Sequence, residues 1–130
     1  MNFMPCKVLS QKSVSVITSD GEKTFEIEGS IDSKYIGSEI TMGIRPQQIR
    51  IRESKEKGCN AVGTVKIIEF QGDNSILIIE LSGNPKIEIK AVLGAGGLKF
   101  KRGDNCFMEF EPKYIHLFDE TEKAIIERKA

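Results

Sequence analysis

Apolar and polar residues alternate with a period of two through much of the chain, and this alternation constrains the fold more than any other feature. It is clearest in four stretches, 13–16, 24–28, 39–44 and 86–91. Successive side chains of a β-strand point to opposite faces of a sheet, so the pattern predicts strands with one buried face. The expected fold class is therefore all-β, with little helix.

Two further stretches, 62–70 and 76–81, carry apolar residues on both faces, as central strands do. Between them lies Gln71-Gly72-Asp73-Asn74, a strong turn signal. The arrangement predicts a β-hairpin. Many short strands separated by turn residues favour a barrel or a sandwich. No repeat at a fixed longer period is evident.

The length of 130 residues fits a single domain spanning 1–130. The polar stretch near 52–61 is expected to join two β lobes within it. The final stretch, 119–130, begins with an Asp suited to capping a helix and ends in basic residues. Its apolar residues are adjacent rather than spaced for one helical face, so a last strand or a frayed tail remains an alternative.

Charge and cysteine content exclude several classes of protein. Nineteen basic residues balance nineteen acidic ones, which leaves no electrostatic footprint for nucleic acid. The three cysteines are odd in number and form no Cys-x-x-Cys pair, so neither a disulfide framework nor a zinc site is expected. Cys6 and Cys106 lie in strand-like stretches, where free thiols behave as small hydrophobes. A reducing cytoplasm is the natural compartment.

Catalytic and cofactor motifs are also missing from the sequence. It has no Gly-x-x-x-x-Gly-Lys-Ser/Thr loop for phosphates. Its single histidine, His116, is not accompanied by a Gly-x-Ser-x-Gly elbow and is expected to be structural. We therefore expect no catalytic, cofactor or metal site, and no enzyme activity, in this chain.

Three segments in order carry a family resemblance: Met1–Val8, Gly43–Ile49 and Pro112–Asp119. Together they resemble the C-terminal regulatory (TOBE) domain of the ATPases that drive sugar-type ABC importers, of the maltose or glycerol-phosphate kind. Gly63 to Leu81 resembles that family's central hairpin, with Glu69-Phe70-Gln71-Gly72 in place of its usual valine-glutamate-x-leucine-glycine stretch. The resemblance covers nearly the whole chain.

The resemblance implies an OB-like β-barrel (TOBE/MOP-like) with additional strands, fused behind a nucleotide-binding domain that binds ATP and Mg²⁺. The implied partners are that domain, a second copy of the subunit, the membrane permease subunits through the ATPase, and in some cases a cytosolic regulator, with no nucleic acid. The implied location is cytoplasmic, at the inner face of the membrane. We expect the chain to be an excised domain because Met1-Asn2-Phe3 falls where such proteins pass from one domain to the other.

Seven residues of the family-like motifs are candidates for structural or interface roles: Gly43, Arg45, Pro46, Glu69, Gly72, His116 and Phe118. Gly43 is expected to end a strand where a Cβ would obstruct a bend. Pro46 fixes its own φ and favours an extended Arg45, whose guanidinium suits a carboxylate. Our hypothesis pairs Arg45 with Glu69, although a purely structural corner is favoured over a ligand site.

Three positions depart from the family pattern. Gln47 stands where Glu is common, Phe70 where Leu is usual, and Glu122 near a common Gly. The Phe70 change is expected to be a conservative one in the core, and the final turn near Glu122 is expected to differ.

Two other functions remain open from the sequence. Related TOBE domains bind oxyanions, for which Thr64 and Ser82-Gly83 are possible contributors. OB-folds also bind single-stranded nucleic acid, but that use needs a basic groove with aromatic platforms. The net charge of zero makes it the least favoured of the three.

Overall fold

Strands make up nearly all the regular structure of the computed structural model, which describes residues 1–18, 21–54, 57–84, 87–94 and 100–127. The twelve strands are β1 Asn2–Ser10, β2 Ser13–Thr18, β3 Gly21–Glu26, β4 Ser30–Ile31, β5 Glu39–Ile44, β6 Ile49–Arg52, β7 Ala61–Gln71, β8 Asn74–Leu81, β9 Glu88–Gly94, β10 Asn105–Phe110, β11 His116–Phe118 and β12 Ile126–Glu127. Three single-turn 3-10 helices are η1 Ser33–Tyr35, η2 Pro46–Gln48 and η3 Pro112–Tyr114. The expected all-β class is confirmed.

The first sheet is antiparallel and has the strand order β11-β5-β1-β2-β3. Its central strand β1 alternates strictly, with Asn2, Met4, Cys6 and Val8 buried and the residues between them exposed. This alternation is what a sheet with one face on a core and one face toward solvent requires. The inner face of β1 therefore builds the core, and its outer face carries Phe3.

The second sheet is also antiparallel, with the strand order β6-β10-β7-β8-β9. The predicted hairpin is its β7–β8 pair, which closes at Gln71↔Asn74. Gly72 in that turn has φ 64, a conformation that residues with a Cβ seldom adopt. The register shifts between Val65 and Ile67, so the outer part of β7 follows a β-bulge.

Each sheet is built mainly from one half of the sequence and takes one edge strand, β11 or β6, from the other half. β5 lies in the first sheet, but η2 carries the chain to β6 in the second. β10 lies in the second sheet, and η3 carries the chain back to β11 in the first. Both crossings begin with a proline at the first helical position, where its missing N–H is not needed. We call this arrangement the strand exchange.

The two halves of the chain are related by an internal repeat that was not evident from the sequence alone. Exchanging β1, β2, β3, β5 and β6 with β7, β8, β9, β10 and β11, respectively, converts one sheet order into the other. The equivalent segments 42–52 and 108–118 share only Met, Pro and Ile at matching positions. Most matching positions keep only their burial, so sequence comparison of the halves gives little signal.

One apolar core lies between the sheets. Phe25 of β3 stacks on Phe110 of β10, with ring centroids 5.2 Å apart and planes at 17°. Asn2 of β1 adds a polar link, because its side chain donates to Lys90 O (2.7 Å) and accepts from Lys90 N (2.8 Å) on the edge strand β9. The sheets are thus joined by packing, by hydrogen bonds and by the strand exchange.

The structure bears on two expectations about connections. The stretch near 52–61, where we expected two lobes to join, connects β6 to β7 and separates the two halves of the internal repeat, whereas the chain crosses between the sheets earlier, at η2. Near the C-terminus the last-strand alternative holds, since β12 pairs with β4 through Ile126↔Ile31. The described residues contain no helix of the length and hydropathy needed to span a membrane.

Candidate functional site

Gly43 lies within β5, buried beneath the side chains of Met1 and Phe118, rather than at the end of a bend. It pairs with Phe3 on one side and with His116 on the other, and β5 continues past it to Ile44. A Cβ on Gly43 would approach Met1 Sδ to 2.6 Å and Phe118 Cε2 to 3.1 Å. The expected obstruction is therefore real, but its cause is side-chain packing on the outer face of the sheet.

Arg45 and Pro46 form the corner that leads from β5 into η2. Arg45 is extended, with φ −77 and ψ 141, as the sequence predicted, and Pro46 is the first residue of η2. Arg45 and Glu69 are both exposed, and the ion pairs of the described residues do not include one between them. The hypothesised pair is thus not formed, because Glu69 lies beyond the bulge toward the tip of the β7–β8 hairpin.

The tip of the β7–β8 hairpin brings Glu69 and Gly72 together with two exposed apolar residues. Phe70 is 73% exposed and Ile67 is 49% exposed, so the expectation of a core role for Phe70 is wrong. These two residues are three positions apart on one strand and point to opposite faces. The tip therefore exposes an apolar side chain on each of its two faces.

His116 and Phe118 meet Phe3 on the outer face of the first sheet. The rings of Phe3 and Phe118 have centroids 6.2 Å apart at an angle of 67°, and His116 stacks on Phe118 at 6.4 Å. A cavity of about 350 Å³ opens beside them, lined by Phe3, Thr41, Phe118, Asp119 and Glu122. We call this cavity the aromatic corner.

A tight turn after β11 places two carboxylates at the aromatic corner. Asp119 Oδ1 accepts hydrogen bonds from Thr121 N (2.9 Å), Thr121 Oγ1 (2.6 Å) and Lys123 N (3.0 Å). These bonds, with that of the Thr121 side chain the largest, lower the pKa of Asp119 below its usual value. Glu122 has φ 64, the left-handed region that the common Gly of the family would adopt without strain.

A second cavity, of about 180 Å³, lies between the first sheet and the loop after β8. Its lining includes Lys7, Ser15, Glu39 and Asn84. Ser15 is fully buried, and its Oγ has no hydrogen-bond partner in the described part of the chain. A buried hydroxyl without a partner loses its hydration, so this oxygen needs a water molecule or a ligand in the cavity.

Sequence reasoning missed Phe3, Ser15, Asp119 and Glu122 as lining residues. A signal for Phe3 was present, because it is an aromatic residue in the polar phase of an alternating strand. No signal marked Ser15, since its pairing with Lys7 across β1 and β2 depends on register. Asp119 and Glu122 could be recognised as lining residues only from the geometry of the turn that holds them.

Burial sets the protonation state of two of the three thiols. Burial raises the pKa of Cys6 to about 12 and that of Cys106 to about 11, so both stay protonated. Within the described ranges, no three His, Cys, Asp or Glu side chains cluster closely enough to hold a metal ion.

Comparisons with known proteins agree with this architecture. Residues 42–118 match the TOBE domain family, and residues 1–49 match the MalK OB fold domain. Among solved structures, the chain is similar to the cytoplasmic molybdate-binding protein ModG, crystallised with molybdate bound, at a TM-score of 0.73. The identity is 17%, and the alignment covers 89% of this chain and 94% of ModG. No curated protein matches the chain.

The likeness to ModG shows the fold, which is all-β and OB-like with two antiparallel sheets. The TOBE match runs from β5 through β11 and includes both strands of the strand exchange. It spans more than half of the chain, and we conclude that this protein belongs to the TOBE domain family.

Proposed function

We propose that the chain is the C-terminal regulatory domain of the ATP-binding subunit of an ABC importer for a sugar or related solute, at the inner face of the membrane. The observation that carries the proposal is the pair of overlapping family matches, MalK OB fold and TOBE, which together run from residue 1 to residue 118. TOBE and OB domains are non-catalytic, so the domain acts by contact. ATP and Mg²⁺ belong to the nucleotide-binding domain of the same subunit.

The contact we assign to the domain is with a second copy of the subunit. The surface best suited to it is the hairpin tip, because Phe70 and Ile67 expose large apolar side chains on opposite faces of one strand. Aromatic residues of this kind often dominate the binding energy of an interface. The permease subunits, and a cytosolic regulator where one exists, are reached through the assembled ATPase pair.

Sedimentation of the full-length subunit tests this function. We expect it to self-associate more tightly than a version lacking this domain. Phe70→Ser should weaken association about thirtyfold, which corresponds to a central aromatic contact. Leu9→Ser, at a 37% exposed position on the other sheet, is the matched control and should leave association unchanged. Equal association with and without the domain contradicts the contact role.

The second candidate function is oxyanion sensing, which the fold likeness to a molybdate-binding protein favours. The contributors expected from sequence do not support it well. Ser82 N already donates to Val62 O (2.9 Å), and Thr64 Oγ1 donates to Asn105 Oδ1 (3.4 Å). The 180 Å³ cavity is a better location, because it combines Lys7 with the unpartnered Ser15 hydroxyl, although Glu39 opposes an anion there.

Calorimetry with molybdate, sulfate and a sugar phosphate separates the two functions. A saturable heat with one anion, lost in Ser15→Ala and in Lys7→Gln, supports the sensing function. Absence of heat with all three anions removes that candidate and leaves the contact function standing.

A further inference from the structure

The aromatic corner combines two kinds of group that attract the same sort of ligand. Phe3 is 60% exposed, and its ring meets that of Phe118 at 67°. The two rings meet edge to face, and Thr41 also lines the cavity beside them. The faces of aromatic rings carry negative charge density and attract cations within about 6 Å.

The lining of the corner also contains two carboxylates. All three hydrogen bonds to the Asp119 carboxylate end on Oδ1, so Oδ2 accepts none within the described part of the chain. Glu122 supplies a second carboxylate to the same lining. The ion pairs of the described residues include neither carboxylate. Lys123 acts on Asp119 electrostatically without forming a salt bridge to it, so neither carboxylate has a direct ion pair among the described residues.

This composition discriminates between ligand classes. A phosphate or other anion is repelled by two carboxylates. A bare metal ion needs several oxygen ligands around it, which two carboxylates beside phenyl rings do not provide. An organic ammonium group suits both the rings and the carboxylates of this lining, because its methyl or methylene groups can pack on aromatic rings while its charge attracts carboxylates.

We propose that the aromatic corner binds the alkylammonium group of a small organic cation. Phe3 and Phe118 contact the alkyl groups, and Asp119 Oδ2 and Glu122 face the positive charge. The site is independent of the regulatory function proposed above, since it lies on the outer face of the first sheet and the hairpin tip belongs to the second.

An NMR titration of the full 130-residue chain tests the site, with choline as the probe and 3,3-dimethyl-1-butanol as its uncharged isostere. We expect choline to give saturable shifts at Thr41, Phe118 and Thr121, weakening as salt is raised because exposed charges are screened. The uncharged alcohol should bind at least about threefold more weakly, which corresponds to one exposed cation–π contact. Equal binding of choline and the alcohol, or shifts that do not saturate, overturns the proposal.

Variants locate the binding. Phe3→Leu and Glu122→Gln should each raise the choline Kd about threefold, because each removes one attraction and keeps the side-chain size. Phe70→Leu removes an exposed aromatic ring from the other sheet and should leave the Kd unchanged. Thermal melts of the three variants establish that they are folded. An unchanged Kd in both Phe3→Leu and Glu122→Gln places any binding elsewhere and overturns the assignment.

Discussion

Two glycines show how the same residue type serves different needs at the residue scale. A Cβ on Gly63 would clash with Ile79 Cγ2 and would lie 2.8 Å from Glu80 O, which is backbone and cannot move away. A Cβ on Gly43 meets mainly the thioether end of Met1, which is flexible. The first site is closed by the sheet itself, whereas the second is closed by a side chain able to swing aside.

We therefore expect Gly63→Ala to destabilise the domain by about 1–3 kcal/mol, the usual cost of overpacking. Gly43→Ala should cost less than half as much. Urea unfolding of both variants and the parent measures the difference. A larger loss for Gly43→Ala would show that Met1 is held rigidly in its place.

Glu122 is the one non-glycine residue with positive φ in the described part of the chain. The left-handed conformation costs a residue with a Cβ about 1–2 kcal/mol, and glycine avoids this cost. We expect Glu122→Gly to raise the free energy of unfolding by about 1 kcal/mol, measured by urea unfolding. Glu120→Gly, in the same turn without positive φ, is the control and should be neutral or destabilising. Destabilisation by Glu122→Gly would show that its side chain stabilises the turn more than strain opposes it.

At the scale of elements, the turn after β11 makes the docking of the C-terminal strand sensitive to acid. The lowered pKa of Asp119 means that its ionised form is stabilised in the folded state. Its contribution to stability is complete above the unfolded pKa and is lost as the pH falls through the folded pKa. The amide shifts of Thr121 and Lys123 should titrate together, with a midpoint below 3.8.

Asp119→Asn provides the control for this titration, because it keeps the side-chain shape and removes the charge. The two amides should then show no transition in that range. A midpoint at or above 3.8 in the parent protein would contradict the assignment of these hydrogen bonds to the ionised carboxylate.

The sequence was most informative about elements and least informative about their partners. Period-two alternation located β2, β3, β5 and β9, because burial of one face leaves a direct trace in residue type. Two stretches apolar on both faces, with a turn signal between them, located the β7–β8 hairpin. The burial of Phe70 was wrongly predicted. A β-bulge earlier in β7 turns the rest of the strand away from the core, and the local residue pattern does not reveal it. The predicted Arg45–Glu69 ion pair was also wrong, because opposite charges in a sequence do not show how close the two side chains lie in the fold.

At the scale of the whole molecule, the strand exchange makes the two halves of the chain dependent on each other. Without β11, strand β5 is left with a bare edge, and without β10, strand β6 has no partner. We expect the separate fragments 1–57 and 58–130 to be largely unfolded alone and to recover strand structure when mixed. Circular dichroism of each fragment and of the mixture measures this, and a cooperative melt of either fragment alone would contradict it.

The same interlocking has a mechanical consequence. A force applied to one sheet is shared at once by a strand anchored in the other, so twisting or sliding one sheet alone would require several hydrogen-bonded ladders to break together. A module built in this way is expected to resist shear between its two sheets and to move as one stiff unit.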